Sequence, residues 1–142
     1  MPNTTVRILT VNGIQYMWDA VRGKLLSIPK VYLRAGTHRR TVTNEYLHLE
    51  DGQPAMSVGD GLIRPATIVG ITANCETDST WDVKIFEKGN TLPLVVLPLS
   101  ASSYAKSDSI DVDVTAGSVL LFKAEGNNIP FPRVLLEIAW RL

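Results

Sequence analysis

Residues 66–90 read ATIVGITANCETDSTWDVKIFEKGN, and the alternation of side chains within them decides the fold class. Successive side chains of a β-strand point to opposite faces, so this period predicts half-buried strands. The first part predicts one face with Ile68, Gly70 and Thr72, and another with Val69, Ile71 and Ala73. The second part predicts Trp81, Val83 and Ile85 on the face opposite to Asp82, Lys84 and Phe86.

Strand patterns continue on both sides of this stretch, and turn residues recur at intervals of about 8 to 12 residues, as in all-β sandwiches and barrels. Near the start, Asn12-Gly13 predicts a type I′ turn that joins Val6–Val11 to Ile14–Trp18 as a hairpin. No segment long enough for a helix has apolar residues at helical spacing. The sequence therefore predicts an all-β fold of antiparallel strands.

A glycine- and proline-rich stretch divides the chain. Residues 51–67 contain three glycines and two prolines, which predicts a loop or linker. We expect an N-terminal hairpin segment at residues 1–50, a linker at 51–65 and a β-sandwich of five or six strands at 66–142. The last region needs further apolar cover, either from parts of residues 1–50 or from neighbouring subunits.

Composition narrows the classes of partner. The chain has 142 residues, 14 basic and 14 acidic, so nothing in its net charge favours nucleic acid or an anionic membrane. A hydrophobic fraction of 45% excludes general disorder. Cys75 is the one cysteine, which excludes an intramolecular disulfide. We expect no signal peptide and no membrane insertion, since no apolar stretch reaches about 18 residues.

Three aspartates lie close together in DSIDVDVTAGSVLLF, residues 108–122. Asp111 and Asp113 are predicted to share one strand face, about 7 Å apart, while Asp108 belongs to the preceding loop. A calcium site needs about six to eight oxygen ligands and a loop that wraps the ion, and no such motif is present. We interpret the pair as solvated charges that keep one face of the strand wet, with a cation site as the alternative.

Catalytic constellations are missing from the sequence. Cys75 has no adjacent basic residue and is predicted to be a small buried hydrophobic residue, although pairing with His38 or His48 is the alternative. The two histidines lack an identifiable third metal ligand. No nucleophile elbow or phosphate-binding loop is present. We therefore expect no enzymatic activity, metal or cofactor.

Several residues are instead predicted to lie at interfaces. The stretch RAGTHRR suits an acidic partner surface, with phosphate, sialic acid or another anion, or a solvated loop, as the alternatives. The three tryptophans are Trp18, Trp81 and Trp140. Tryptophans in strands serve more often as core or interface anchors than as platforms for sugars. The predicted interface residues are Trp18, Arg34, Arg39, Arg40, Trp140 and Leu142.

Most of the chain resembles a group of small bacteriophage virion proteins. The resemblance rests on PATIVGITA, on WDVKIFEKG, on IDVDVTAG and on the final VLLEIAWR, with YMWDAVRGKLLSI upstream. It implies a tumour-necrosis-factor-like or jelly-roll β-sandwich that assembles around a three-fold axis. Ser118 stands where the group usually has an aspartate, so a polar role of that position does not carry over.

The resemblance also implies a location and partners. Such proteins are head fibres, capsid decorations or tail and baseplate pieces, whose N-terminal segment attaches to the particle. We expect a homotrimeric virion component, assembled in the host cytoplasm, that docks on a capsid or tail protein through residues 1 to about 50. The alternative function is a module that binds a host receptor or a host-surface glycan.

Overall fold

Ten β-strands and no helix form the described part of the chain, which comprises residues 7–37, 40–49 and 61–142 of a computed structural model. All strand pairings among these residues are antiparallel. The strands are β1 (Ile8–Val11), β2 (Ile14–Asp19), β3 (Lys24–Gly36), β4 (Glu45–Tyr46), β5 (His48–Leu49), β6 (Ala66–Glu87), β7 (Val95–Ser107), β8 (Val112–Val114), β9 (Leu120–Glu125) and β10 (Arg133–Arg141). The predicted all-β antiparallel fold is confirmed.

The predicted N-terminal hairpin is confirmed as β1 and β2. Ile8 pairs with Met17 and Val11 with Ile14. Asn12 and Gly13 both have positive φ angles, 50° and 78°, as a type I′ turn requires. Strand β2 runs on to Asp19, and Val6 of the predicted hairpin lies outside the described residues.

Strand β6 joins the two halves of the sheet. Its first half pairs with β10 and β8, its second half pairs with β9, and β7 follows it along most of its length. The register with β7 shifts between Asn74 and Trp81, where the strand leaves the core and returns to it. The sheet therefore curls into a half-barrel, and the fold is a sandwich-like all-β structure.

One apolar core lies on the concave side of the curled sheet. Both halves of β6 contribute to it, Ile71 from the first half and Val83 from the second. The largest fully buried side chains are Phe122, Leu47, Ile68, Ile85, Leu99, Ile129, Leu136 and Ile138. These residues are spread from Leu47 to Ile138, so the core brings together segments that are distant in the sequence.

A β-bulge at Val69 corrects the predicted faces of β6. Opposite β10, Glu137 pairs with Gly70 and Ile138 with Ile68, so Val69 is an extra residue. Such an insertion reverses the alternation on its two sides. Ile68 therefore lies in the same core as Ile71, and the predicted face of Ile68, Gly70 and Thr72 was wrong.

Val69 instead packs outside the main core. It forms a small separate cluster with Leu26 of β3 and Ala139 of β10. The prediction for the second half of β6 is confirmed, because Trp81, Val83 and Ile85 are all in the main core.

Strand β3 connects the N-terminal hairpin to the rest of the sheet. Its first residues pair with β2, and its later residues pair with β10 on one side and β5 on the other. Residues 24–36 thus share a sheet with residues 133–141. Most of the predicted linker lies outside the described residues, and the division at 1–50, 51–65 and 66–142 stays a prediction.

Two tryptophans provide a matched test of the core. Trp81 is 2% exposed, whereas Trp18 on the hairpin is 57% exposed. Trp81→Ala should lower the free energy of unfolding by about 3–5 kcal/mol, because it leaves a large cavity. Trp18→Ala should change it by less than about 1 kcal/mol. Urea denaturation measures both, and equal losses would contradict this assignment of the core.

Candidate functional site

The turn between β2 and β3 holds an arginine that binds three backbone carbonyls. Arg22 donates from Nε to the Ile110 oxygen at 2.7 Å, and from Nη2 to the Asp108 and Val69 oxygens at 3.0 and 3.1 Å. Its Nη1 contacts Asp19 Oδ2 at 2.9 Å. One guanidinium thus joins the hairpin, the bulge of β6 and the segment before β8.

This contact follows from the bulge. An extra residue in a strand lies outside the ladder of backbone hydrogen bonds, and the Arg22 guanidinium donates to the carbonyl of that residue, Val69. The planar fork of an arginine presents several donors in fixed directions, which suits several acceptors at once. The role of Arg22 was not predicted from the sequence, since VRGK indicates only a turn.

A lysine at the start of β3 bridges the aspartate pair. Lys24 Nζ lies 2.6 Å from Asp111 Oδ1 and 2.8 Å from Asp113 Oδ1. Thr67, which is fully buried, donates to the same Asp113 oxygen at 2.7 Å, and Arg141 Nε lies 3.6 Å away. The charges of Lys24 and Arg141 together therefore balance the two carboxylates from within the chain.

The interpretation of the aspartates as solvated charges needs correction. They do share a face, as predicted, and their side chains are 42% and 46% exposed. However, both bind Lys24, so they fix the start of β3, at the base of the hairpin, to β8 and the residue before it. Asp108 lies in the preceding loop, as predicted, and its carbonyl oxygen accepts from Arg22.

The same contacts shift two pKa values in opposite directions. Partial burial acts to raise the pKa of Asp113, but hydrogen bonds from Lys24 and Thr67 and the charges of Arg141 and Lys24 outweigh it and lower the pKa. Hydrogen bonds to Asp111 and Asp113 raise the pKa of Lys24. Folding thus favours the charged form of both groups.

The hairpin itself exposes large apolar side chains. We call Ile8, Leu9, Met17, Trp18 and Val21 the hairpin surface; Val21, in the turn, is 94% exposed. Ile8 lies opposite Met17 on one face of the hairpin, and Leu9 and Trp18 belong to the other. Strand β1 also ends the path of paired strands. This part of the molecule has the composition of an interface.

Two predicted interface residues, Trp18 and Leu142, flank Leu25 of β3 from opposite sides at the base of the hairpin. Trp18 pairs with Leu25 of β3, and the Leu142 amide donates to the Leu25 oxygen at 3.3 Å. Trp140 is half-buried against the main core, with the Arg64 guanidinium 5.9 Å from its ring centroid. The chain end thus lies across β3 from the hairpin, and Leu142 is half exposed.

The predicted arginine cluster is divided. Arg34 is exposed on β3 and lines an open cleft. Arg40 forms a two-pronged contact with Glu45, at 3.2 and 2.8 Å. Arg39 and His38 lie outside the described residues. The interface role assigned to these arginines stays a prediction.

Cys75 and His48 lie near the same open cleft. Cys75 is half-buried rather than buried as predicted, and its Sγ lies 3.1 Å from the Thr77 oxygen. Among the residues that the structure describes, no three histidine, cysteine or acidic side chains are grouped so that they could hold a metal ion. Within the same residues, no helix is long and apolar enough to cross a membrane.

Ser118 has a local structural role. It is buried, its Oγ lies 3.1 Å from Thr115 Oγ1, and it donates to Glu87 Oε1 at 3.4 Å. Ala116 and Gly117 form the turn before it, and Gly117 has a φ of 87°. The serine hydroxyl thus closes the turn between β8 and β9 and ties it to the end of β6.

Comparison of the chain with family models, curated proteins and solved structures gave no match.

The Arg22 contacts predict that a single substitution at this position will lower the stability of the protein. Arg22→Ala should lower the free energy of unfolding by about 2–4 kcal/mol, because half-buried carbonyls lose charged donors. Arg22→Lys should recover only part of the loss, since an ammonium lacks the fork of donors. Arg40→Ala, which removes an exposed ion pair, should cost less than about 1 kcal/mol. Urea denaturation should separate them; equal costs would contradict the role of Arg22.

The Asp113 pKa predicts a pH-dependent stability. Because the folded-state pKa lies below the ordinary value of about 3.9, the contribution of Asp113 is present above that value. It is lost as the pH falls through the folded-state pKa. Lys24 has the opposite dependence: its contribution is present below about pH 10.4 and is lost as the pH rises through its raised pKa.

Urea denaturation between about pH 2 and 8 tests this linkage. The difference in stability between the wild type and Asp113→Asn should shrink as the pH falls below about 4. In a Lys24→Met background the same substitution should show a smaller dependence on pH. A difference that stays constant from pH 8 to pH 2 would contradict the linkage.

Proposed function

We propose that the protein is a structural component of a bacteriophage virion and acts as a homotrimer with no catalytic role. It decorates the capsid or forms the base of a head fibre, with a tail or baseplate location as the alternative. The resemblance described above and the all-β sandwich-like fold support this proposal. Its place of action is the virion, after assembly in the host cytoplasm.

The observation that carries the proposal is the exposure of the hairpin surface. Strands β1 and β2 place only Tyr16 in the buried set, yet their backbone pairing continues into β3. Arg22 and Lys24 fix the base of the hairpin to the body through hydrogen bonds and ion pairs. A firmly held element with apolar side chains on both faces suits docking against another protein.

Residues that surround the hairpin surface favour a protein partner. The apolar side chains adjoin charged groups that are already paired, since Arg22 contacts Asp19 and Lys24 contacts Asp111. A polar rim around an apolar centre is the usual composition of protein–protein interfaces. We therefore assign the hairpin surface to the capsid or tail protein of the particle.

Assembly and attachment can be tested separately. Light scattering after gel filtration should give three times the chain mass of 15.6 kDa, and a monomer at micromolar concentration would contradict the trimer. Wild-type protein should bind to purified particles that lack it, and the amount bound per particle measures this recovery. Trp18→Ala should reduce this recovery at least tenfold while the trimer and its melting temperature are retained.

Leu92→Ala provides the matched control for the attachment test. Leu92 is another highly exposed apolar residue, but it lies between β6 and β7 rather than on the hairpin. Its substitution should leave recovery on the particle unchanged. Equal binding of wild type and Trp18→Ala, or equal losses for Trp18→Ala and Leu92→Ala, would contradict attachment through the hairpin surface.

A further inference from the structure

An open cleft lies at the end of β3 that is opposite to the hairpin. Its volume is about 700 Å³, within the range of about 300–1,000 Å³ that small-molecule sites occupy. Backbone of β3, β5, β6 and the residues before β10 forms its walls. The charged, polar and aromatic residues that line it are Arg34, His48, Asn74, Glu76, Phe131 and Arg133. We call this the arginine cleft.

The strand register explains why the cleft exists. Gly36 pairs with Arg133 on one side and with His48 on the other, and Arg133 pairs with Asn74. Gly36 has no side chain, and a Cβ placed there would lie 3.4 Å from Arg133 Cγ. The row of side chains across the four strands therefore has a gap at Gly36, beside the stem of Arg133.

Two arginines in this cleft have no hydrogen-bond or ion-pair partner among the residues that the structure describes. Arg34 pairs with Leu135, so it is a diagonal neighbour of Arg133 on the same sheet face, about 7–8 Å away. Neither guanidinium makes a hydrogen bond or ion pair with another described residue, in contrast to Arg22, Arg40 and Arg141. Two like charges at this spacing, each with free donors, favour a bound anion.

The cleft also contains strained backbone. Phe131 has a φ of 50°, which is unusual for a bulky residue and costs about 1–3 kcal/mol. The preceding residue is held in place, because Glu76 donates its amide to the Pro130 oxygen at 2.9 Å. Strain of this kind collects at ligand sites, and here it places an aromatic residue in the wall of the cleft.

We propose that the arginine cleft binds an acidic saccharide. The sugar carboxylate lies between the guanidiniums of Arg34 and Arg133, which bind carboxylates through paired hydrogen bonds. Asn74 donates to and accepts from sugar hydroxyls, and Glu76 accepts from them. Phe131 packs against the apolar face of the sugar ring. This site does not depend on the virion role proposed above.

Glu76 favours a saccharide over other anions. Its carboxylate repels a ligand that carries a second negative charge close to the first, which disfavours a phosphate. It also needs hydroxyl or amide donors, and a saccharide presents several hydroxyls around one carboxylate. An acidic peptide segment presents further carboxylates instead, so it fits the cleft less well.

Titration with matched sugars tests the proposal. The probes are 3′-sialyllactose with lactose as its neutral counterpart, and a glucuronic-acid disaccharide with a glucose disaccharide. Amide chemical shifts of the protein report the binding. We expect both acidic sugars to bind saturably, with affinity that falls as salt is added, and neither neutral sugar to bind. A lack of binding by both acidic sugars, or equal binding by the neutral ones, would overturn the proposal.

Variants locate the binding in the cleft. Arg34→Gln and Arg133→Gln should each weaken binding at least tenfold, with little change in melting temperature because both side chains are exposed. Lys106→Gln, which removes an exposed cation of β7 outside the cleft lining, should leave binding unchanged. Unchanged affinity in both arginine variants would overturn the assignment, and so would a glutamate-rich peptide that binds more tightly than the sugars.

Phe131→Gly separates the role of the strained residue from stability. Glycine adopts a φ of 50° without strain, and this relief offsets the loss of the half-buried ring and the greater freedom of the unfolded chain, so the melting temperature should change little. Binding of the acidic sugar should nevertheless weaken several-fold, since the aromatic wall is lost. Tighter or unchanged binding in this variant would show that Phe131 is not part of the site.

Discussion

The fold depends on the packing of both halves of β6 against one core. Trp81 marks the point where the strand returns to that core after the exposed stretch that follows Asn74. Gly126, after β9, lets the chain pass directly over this tryptophan, since a Cβ at Gly126 would lie 2.7 Å from Trp81 Cβ. A larger residue there would push β9 away from the second half of β6, with which it pairs. The close pairing of β9 with the second half of β6 thus depends on the absence of a side chain at Gly126.

The N-terminal hairpin is held by a different kind of interaction. Its strands bury little apolar surface, and its base is fixed by two cations in and after the β2–β3 turn. Arg22 binds carbonyl oxygens that no hydrophobic contact could satisfy, and Lys24 binds Asp111 and Asp113. Removing a partner from a half-buried polar group costs more than removing an exposed ion pair. The hairpin can therefore keep its apolar side chains exposed without losing its orientation.

Local patterns predicted the elements of this structure better than their arrangement. The positive φ angles of Asn12-Gly13 and the alternation from Trp81 to Ile85 are properties of neighbouring residues, so the sequence indicated both. The bulge at Val69 depends on how β10 pairs with β6, and no local signal marks it.

The contacts of the candidate sites were harder to predict from the sequence for the same reason. Lys24 and Asp111 are separated by 87 positions, and Arg22 meets Ile110 at a similar separation. A single sequence carries no record of such pairs. The aspartates were found because they are close together in sequence, but their partner was not.

The two candidate binding regions lie at opposite ends of β3. Trp18 pairs near the start of the strand and His48 at its end, and thirteen residues of extended chain span about 40 Å. If the hairpin surface is covered by a particle, the distance leaves the arginine cleft open to solvent. The side chains at each end suit these surroundings. Burial under a particle stabilises the apolar side chains of the hairpin surface. An unpaired guanidinium is costly to bury, so Arg34 and Arg133 suit the end that stays in contact with water. The length of β3 thus separates the apolar hairpin surface from Arg34 and Arg133, and this separation favours a protein that is anchored at one end and binds a ligand at the other.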